Sequence, residues 1–374
     1  MSSDPTPVPG TSIPFEVHAA RDYEALAQRR LPAPVFAYIA GGSGEGATLV
    51  ANRAAFGRVT ICPRVLADVG GASTRLRLAG RDWEHPIMLG PVAHQALVHP
   101  RGEIEAARAA SAVDACMLVS TLSSHTLEDI GAAAPGPKWF QLYFQRHRDD
   151  TLDLVRRAEA AGYEALVVTL DAAIQLPSDR ALQAGFTMPA HCVAANLRDH
   201  RRREVQDEIQ FGNRIFQGVM LGAPTWTDLA WLMAQTRLPI WVKGVLHPDD
   251  ARRLRESGVA GIVVSNHGGR TLDHAPASLD ALPTVREAVG DDYPVLFDSG
   301  IRSGADVYKA VSRGADAVLV GRLQVYALAV AGALGVAHMV RLLREELEVC
   351  MAMTGCVSLA DVRRTGRATK GATC

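Results

Sequence analysis

His267 and Arg270 lie three residues apart in the run Val263-Val264-Ser265-Asn266-His267-Gly268-Gly269-Arg270-Thr271-Leu272-Asp273. An imidazole accepts a proton near neutral pH, and a guanidinium holds a carboxylate with a planar fork of donors. Together they offer a base beside an anion clamp. The competing reading is structural, with His267 closing off the strand before it and Arg270 pairing with Asp273.

Other apolar runs end in polar groups in the same way. Asp171 closes Val168-Thr169-Leu170-Asp171, and its natural use is to hold an imidazole in one tautomer and stabilise the imidazolium. Lys243 ends Trp241-Val242-Lys243, where burying an ammonium is costly unless it meets an anion. It suits either a Schiff base or stabilisation of negative charge on a cofactor. Ser120 follows one run, Gln141 and Tyr143 alternate at the end of another, and Thr169 precedes Asp171. Two glycine–arginine turns complete the set, Asp298-Ser299-Gly300-Ile301-Arg302-Ser303-Gly304 and Gly321-Arg322. Glycines let backbone N–H groups approach an anion and the arginines add charge, so these turns read as a phosphate site rather than as tight turns alone.

The elements that must carry these groups follow from the apolar pattern. Strands are expected at 87–89, 116–119, 139–142, 165–169, 240–242, 261–264, 295–297 and 317–320, with helical patterns between them at 103–112, 150–161, 248–256, 278–289 and 305–313. Gly162, Gly258, Gly290 and Gly314 end helices just before a strand. This alternation predicts an α/β protein, a (β/α)₈ TIM barrel with its chemistry at the carboxyl-terminal mouth. An open doubly wound sheet is the alternative, but no Gly-x-Gly-x-x-Gly turn follows the first strand. Three helices at 22–29, 34–40 and 47–56 form an N-terminal cap, residues 1–18 a disordered tail, and 19–374 one domain. Residues 171–224 hold no clear strand and read as a lid loop; the basic run 200–204 within it reads as a solvated face.

The bulk numbers exclude several classes. Hydrophobic residues make up 48%, charged residues 21%, and the net charge is −1, which argues against nucleic acid or a membrane surface as partner. No apolar run reaches the roughly 20 residues a spanning helix needs, and the N-terminus lacks a secretory pattern, so a cytoplasmic protein is expected. The six cysteines are scattered without metal-ligand spacing; no metal site is expected and reduced thiols are the default.

Ser265-Asn266-His267-Gly268-Gly269-Arg270, then Leu272-Asp273 and Pro276-Ala277-Ser278, resembles the signature of the FMN-dependent α-hydroxy acid oxidases and dehydrogenases. The likeness continues through Asn52-Arg53, Pro91-Val92-Ala93, His99-Pro100, Gly102-Glu103, Gln141-Leu142-Tyr143, Val242-Lys243-Gly244-Val245 and Gly300-Ile301-Arg302, covering about residues 20 to 365. The resemblance implies FMN as cofactor, its phosphate on the loops around Arg302 and Arg322. Pro91, Val92, Ala93, Ser120, Gln141, Thr169 and Lys243 would line the isoalloxazine, and Ser265 and Asp298 fall at flavin-contacting positions. By the same resemblance His267 is the base, Asp171 supports it, and Tyr38, Tyr143 and Arg270 face a 2-hydroxy acid. A homotetramer is expected by family analogy. Ala93 and the absence of an attached haem-binding segment favour an oxidase that passes electrons to O2; a dehydrogenase, an FMN-barrel isomerase and a flavin-binding homologue without activity are the other readings.

One departure stands out. Relatives carry Gly five residues and a substrate-binding arginine seven residues beyond the aspartate, where this chain has Leu176 and Ser178, followed by Asp179 and Arg180. Losing a charge-assisted contact to a carboxylate costs on the order of 1.5–3 kcal/mol, roughly tenfold to over a hundredfold in affinity. The expected substrate is therefore a bulkier acid or one whose carboxylate is masked as an ester, amide or thioester, unless Arg180 bends back to replace the lost group.

Overall fold

The computed structural model describes residues 10, 12–200, 215–216 and 219–368. A hairpin of β1 (Leu76–Leu78) and β2 (Arg81–Trp83) precedes eight parallel strands: β3 (Ile87–Leu89), β4 (Met117–Ser120), β5 (Lys138–Leu142), β6 (Leu166–Thr169), β7 (Ile240–Val245), β8 (Gly261–Val264), β9 (Val295–Phe297) and β10 (Ala317–Val320). They close into a barrel in chain order, with β10 pairing back onto β3. Strands covered on both faces read as unbroken apolar runs, which is why these were visible in the sequence. β7 runs three residues past its expected end, because Lys243 still pairs with Val263 and a register shift carries the strand on to Val245.

Three helices come first: α1 (Asp22–Arg30), α2 (Ala33–Ala40) and α3 (Ala47–Gly57). The outer ring is α4 (Gly102–Ala112), α5 (Leu127–Ala133), α6 (Arg148–Ala160), then α8 (Trp226–Met233), α9 (Pro248–Glu256), α10 (Ser278–Val289), α11 (Gly304–Ser312) and α12 (Arg322–Thr354), with a short α7 (Asp179–Gln183) after β6 and a final α13 (Leu359–Ala368). α12 is two helices merged across a kink at Ala331 and Gly332. By length and composition it is apolar enough to cross a membrane, but 78% of its apolar window is buried inside the protein.

Two apolar cores result. The larger fills the space between barrel and helices. The smaller fills the barrel interior, where Met88, Leu118, Trp139, Val167, Trp241, Val263, Leu296 and Leu319 converge, one from each strand, and Leu78 and Trp83 of the hairpin join them. The rings of Trp139 and Trp241 lie 4.9 Å apart. A Cβ at Gly261 would sit 2.2 Å from the Trp241 ring, so β8 gives up a side chain to admit the indole.

Residues 171–224, expected as a lid, hold α7 and short 3₁₀ turns at Ala195–Leu197 and Val219–Gly222. The basic residues 201–203 and Glu204 lie outside the described residues, as do most of the expected tail and the last six positions. Cys116, Cys192, Cys350 and Cys356, expected as reduced thiols, are free.

Candidate active site

At the carboxyl ends of the strands, under the first helices, lies a cleft open to solvent on one side. Its walls carry Tyr38, Pro91, Val92, Ala93, Ser120, Gln141, Tyr143, Thr169, Lys243, His267, Arg270, Asp298, Gly300, Arg302, Gly321 and Arg322. Sixteen of the eighteen residues singled out from sequence thus meet in one place. The other two stand behind it: Asp171 touches His267, and Ser265 touches Lys243.

The centre is an imidazole between an anion and a cation. His267 Nδ1 is 2.8 Å from Asp171 Oδ1. Lys243 Nζ donates to Ser265 Oγ at 2.8 Å and lies 3.2 Å from Asp298 Oδ2. Burial, and then the Lys243 charge, hold the His267 imidazole below its usual range, against the opposing pull of Asp171. Burial works to raise Asp171, but Lys243 and His267 together bring its carboxyl below the ordinary value. For Lys243, burial is outweighed by Asp298 and Asp171, so its ammonium is held above the usual value. The combination is a neutral imidazole on a carboxylate, next to a fixed positive charge. Burial raises Tyr143, with the Asp171 charge adding, so its hydroxyl stays a donor.

The loop that carries the base is held in an uncommon shape. His267, Gly268 and Gly269 all have positive φ, the first at 58° despite its side chain, a strain that persists only where the surroundings impose it. α3 imposes it here. Asn52 and Asn266 exchange side-chain hydrogen bonds at 2.9 and 2.8 Å, and Asn266 Oδ1 also accepts from Gly269 N. Asp273 does not pair with Arg270. Its carboxylate accepts from Gly46 N at 3.0 Å and Thr48 N at 2.9 Å, supplying the N-terminal cap that Gly46 itself cannot give α3. The grouping Glu45, Asp273 and His274 has metal-ligand spacing, but two of its members are exposed and Asp273 is engaged in that cap.

Arg270 instead reaches the end of α2, donating to Tyr38 O at 2.9 Å, and its guanidinium lies 4.9 Å from the Tyr38 ring centroid. Phe186 stacks on Tyr38 at 4.2 Å and 12°. Arg322 also closes the end of α2, donating to Ile39 O at 2.9 Å, Gly41 O at 2.6 Å and Gly268 O at 2.8 Å. Burial, then the nearby Arg270, push Arg322 down to about 9. Such crowding of cations is relieved by an anion.

The residues present fit FMN. Gln141 Nε2 and Thr169 Oγ1 are buried in the cavity wall with no hydrogen-bond partner, which a polar ring edge would satisfy. The N-terminus of α11, which follows β9, is already occupied: Ser303 caps it, and Asp306 accepts from Arg302 N and Ser303 N. The N-terminus of α12 can serve an anion, since Gly321 gives it no side-chain cap and a Cβ there would meet nothing within 4 Å.

Ser178, in place of the expected arginine, caps α7 by accepting from Ala181 N, and a Cβ on Gly41 would lie 2.4 Å from its hydroxyl. Gly44 and Ser178 form a parallel bridge. Arg180 does not reach the cavity; it is exposed and lies 5.5 Å from the Phe36 ring centroid. The loop's contribution to the wall is Gln175. Sequence reading missed this residue, and His94, whose φ of 52° and cavity position no motif announced. It also missed Ser299, although that residue lies inside a quoted turn.

The pattern of one family, FMN-dependent dehydrogenase, matches residues 27–368. An L-lactate oxidase of Alicycliphilus denitrificans is 59% identical over 354 residues, 95% of this chain and 97% of that one. Glycolate oxidase 3 of Oryza sativa subsp. indica is 40% identical over 346 residues, 92% and 94% of the two chains. A crystal structure of mandelate oxidase with (S)-2-phenylpropionate superposes with a TM-score of 0.84 at 42% identity, covering 92% of this chain and 97% of that one. An arginine-to-leucine variant of mandelate oxidase, with 2-hydroxy-phenylacetamide, matches with the same TM-score, identity and coverage.

Proposed function

We propose a function from this premise: the chain belongs to the family of FMN-dependent dehydrogenases. It oxidises a 2-hydroxy acid, or a derivative of one, to the 2-oxo product, and FMN is its cofactor. Relatives named lactate, glycolate and mandelate oxidases support the substrate class. The observation that carries the reading is His267 Nδ1 held 2.8 Å from Asp171 Oδ1, with Lys243 lining the same cavity and 3.2 Å from Asp298 Oδ2.

His267 removes a proton from the substrate's hydroxyl-bearing centre, and Asp171 stabilises the imidazolium that results. Tyr143 donates to the substrate oxygen, and Arg270 positions the carboxyl group. Lys243 keeps positive charge where negative charge develops. Bound FMN would supply the two-electron acceptor, and with O2 as the final oxidant the electron pair and two protons would leave as H2O2.

Among the described residues the carboxyl clamp has one arginine. Ser178 is occupied with α7, and Arg180 with Phe36, so neither gives Arg270 a cationic partner. The preferred substrate is accordingly bulkier than lactate or has a masked carboxylate. The mandelate oxidase variant, with an arginine replaced and a hydroxy amide bound, supports pairing a lost arginine with an uncharged head group. The test is anaerobic mixing of the yellow protein with lactate, mandelate and their amides and methyl esters. Bleaching of the flavin by the derivatives or by mandelate ahead of lactate is expected, and readmitted air should restore the colour with formation of H2O2. Efficient turnover of free lactate at a low Michaelis constant would sink the substrate assignment; no bleaching by any of them would sink the activity.

A further inference from the structure

The two arginines at the glycine-turn end of the cavity are held differently. Arg322 gives its donors to backbone carbonyls. Arg302 is gripped by a carboxylate from outside the barrel: its Nε donates to Glu24 Oε2 at 3.0 Å, and its Nη1 turns back to Ile301 O at 3.0 Å. Among the described residues no hydrogen bond engages Nη2. The guanidinium also lies 6.0 Å from the Tyr326 ring centroid, so an acid on one edge and an aromatic ring nearby set its position. Glu24 stands in the first turn of α1, and α1 is fastened to α12 next door, where Tyr23 Oη and His338 Nδ1 are 2.9 Å apart.

A carboxylate beside an anion site has two opposed effects. Its charge weakens the site's pull on a phosphate, while its grip fixes the arginine that must make the contact. The cations here outnumber it: Arg322 feels Arg270 and Arg302 as well as Glu24. Removing one partly exposed negative charge therefore changes little, because water screens it. Freeing a long side chain from the one carboxylate that grips it among the described residues costs the arginine its orientation.

We propose that Glu24 is a positioning residue for the cofactor phosphate, holding Arg302 at the cavity wall with Nη2 left for the phosphate, so that a helix outside the barrel helps set FMN affinity. This rests on the reading of the cavity as the FMN site. The test titrates flavin-depleted protein with FMN and with riboflavin, which lacks the phosphate, following flavin fluorescence for the wild type, Glu24→Ala and Glu24→Gln. Glu24→Ala should weaken FMN roughly tenfold or more, the loss of one oriented charge-assisted contact, while riboflavin changes little. Glu24→Gln keeps an oxygen where Nε donates and should bind FMN nearly as wild type does. The proposal is overturned if Glu24→Ala tightens FMN, if it weakens FMN and riboflavin alike, or if it leaves both unchanged. If the wild type takes up neither flavin, the FMN reading of the cavity falls first.

Discussion

Replacing Gly244 by alanine should separate the base from its carboxylate without touching either residue. Gly244 has φ of 103°, and a Cβ there would lie 2.4 Å from Asp171 Cβ, 2.5 Å from its Cγ and 2.8 Å from its Oδ2. Ordinary contact begins near 3.4 Å, so Asp171 must give about 1 Å (3.4 less 2.4). A shift of that size disturbs the 2.8 Å bond to His267, which has only a few tenths of an ångström to give before it weakens. A charge-assisted bond of this kind contributes on the order of 1.5–3 kcal/mol, which is roughly tenfold to a hundredfold in the rate of the proton-removing step. The left-handed backbone adds strain of about 1–3 kcal/mol to the folded state, and this must be told apart from the catalytic effect. Gly162→Ala does so, because its φ is 77° and a Cβ there meets nothing within 4 Å. Both variants should melt earlier than the wild type, but only Gly244→Ala should slow anaerobic flavin reduction in the stopped-flow. Equal reduction rates in the two variants would refute the argument that Asp171's position matters.

The remaining expectations concern pH, the head group and the cap. Because His267 is depressed below 6.5 and must be neutral to act, kcat/KM should hold through neutral pH and fall only as pH drops below 6.5; an acid limb centred above 7 contradicts this. The same depression means the unfolded imidazole binds its proton first as pH falls, so His267 withdraws stability below pH 6.5 until its folded pKa is passed, and chemical denaturation against pH should show that loss. Arg180→Ala should leave the Michaelis constant for every substrate unchanged, whereas a second cation introduced by Ser178→Arg should favour free acids over amides by roughly tenfold or more; steady-state kinetics on matched acid–amide pairs decides both. Asp273→Ala removes the cap from α3 and should cost about 1–2 kcal/mol, seen as a fall of a few degrees in Tm, and an unchanged Tm would show that the helix does not need it.

What the sequence disclosed and what it hid divide along physical lines. The eight strands were legible because each is apolar on both faces, and Ser120, Gln141, Tyr143, Asp171, Lys243 and His267 because each is a polar group at the end of such a run, whereas Tyr38, Pro91, Val92 and Ala93 came only from the family resemblance. The hairpin was not: Leu76-Arg77-Leu78 and Arg81-Asp82-Trp83 are three-residue strands with polar centres, and only the barrel they close gives them a reason to form. The cap on α3 was hidden as well, because its carboxylate comes from Asp273, 227 positions away from Gly46. Arg302 and Arg322 were found as charges, but their grip on Glu24 and on the end of α2 depends on how the first helices dock. Local pattern reports an element's own burial; it is silent about which distant groups finish its ends.

The indoles of Trp139 and Trp241, sealed from below by Trp83, make the barrel a vessel with a stoppered base. Among the described residues nothing opens a passage for a substrate along its axis, so reactant and product use the doorway at the carboxyl-terminal side, where Tyr38 of α2 and Gln175 after β6 stand in the cavity wall. Traffic through that doorway is sequential by construction. A bulky product lingering there would delay the next arrival even when the chemistry below is fast, and the pace of the whole cycle would then be set at the doorway rather than at the base that removes the proton.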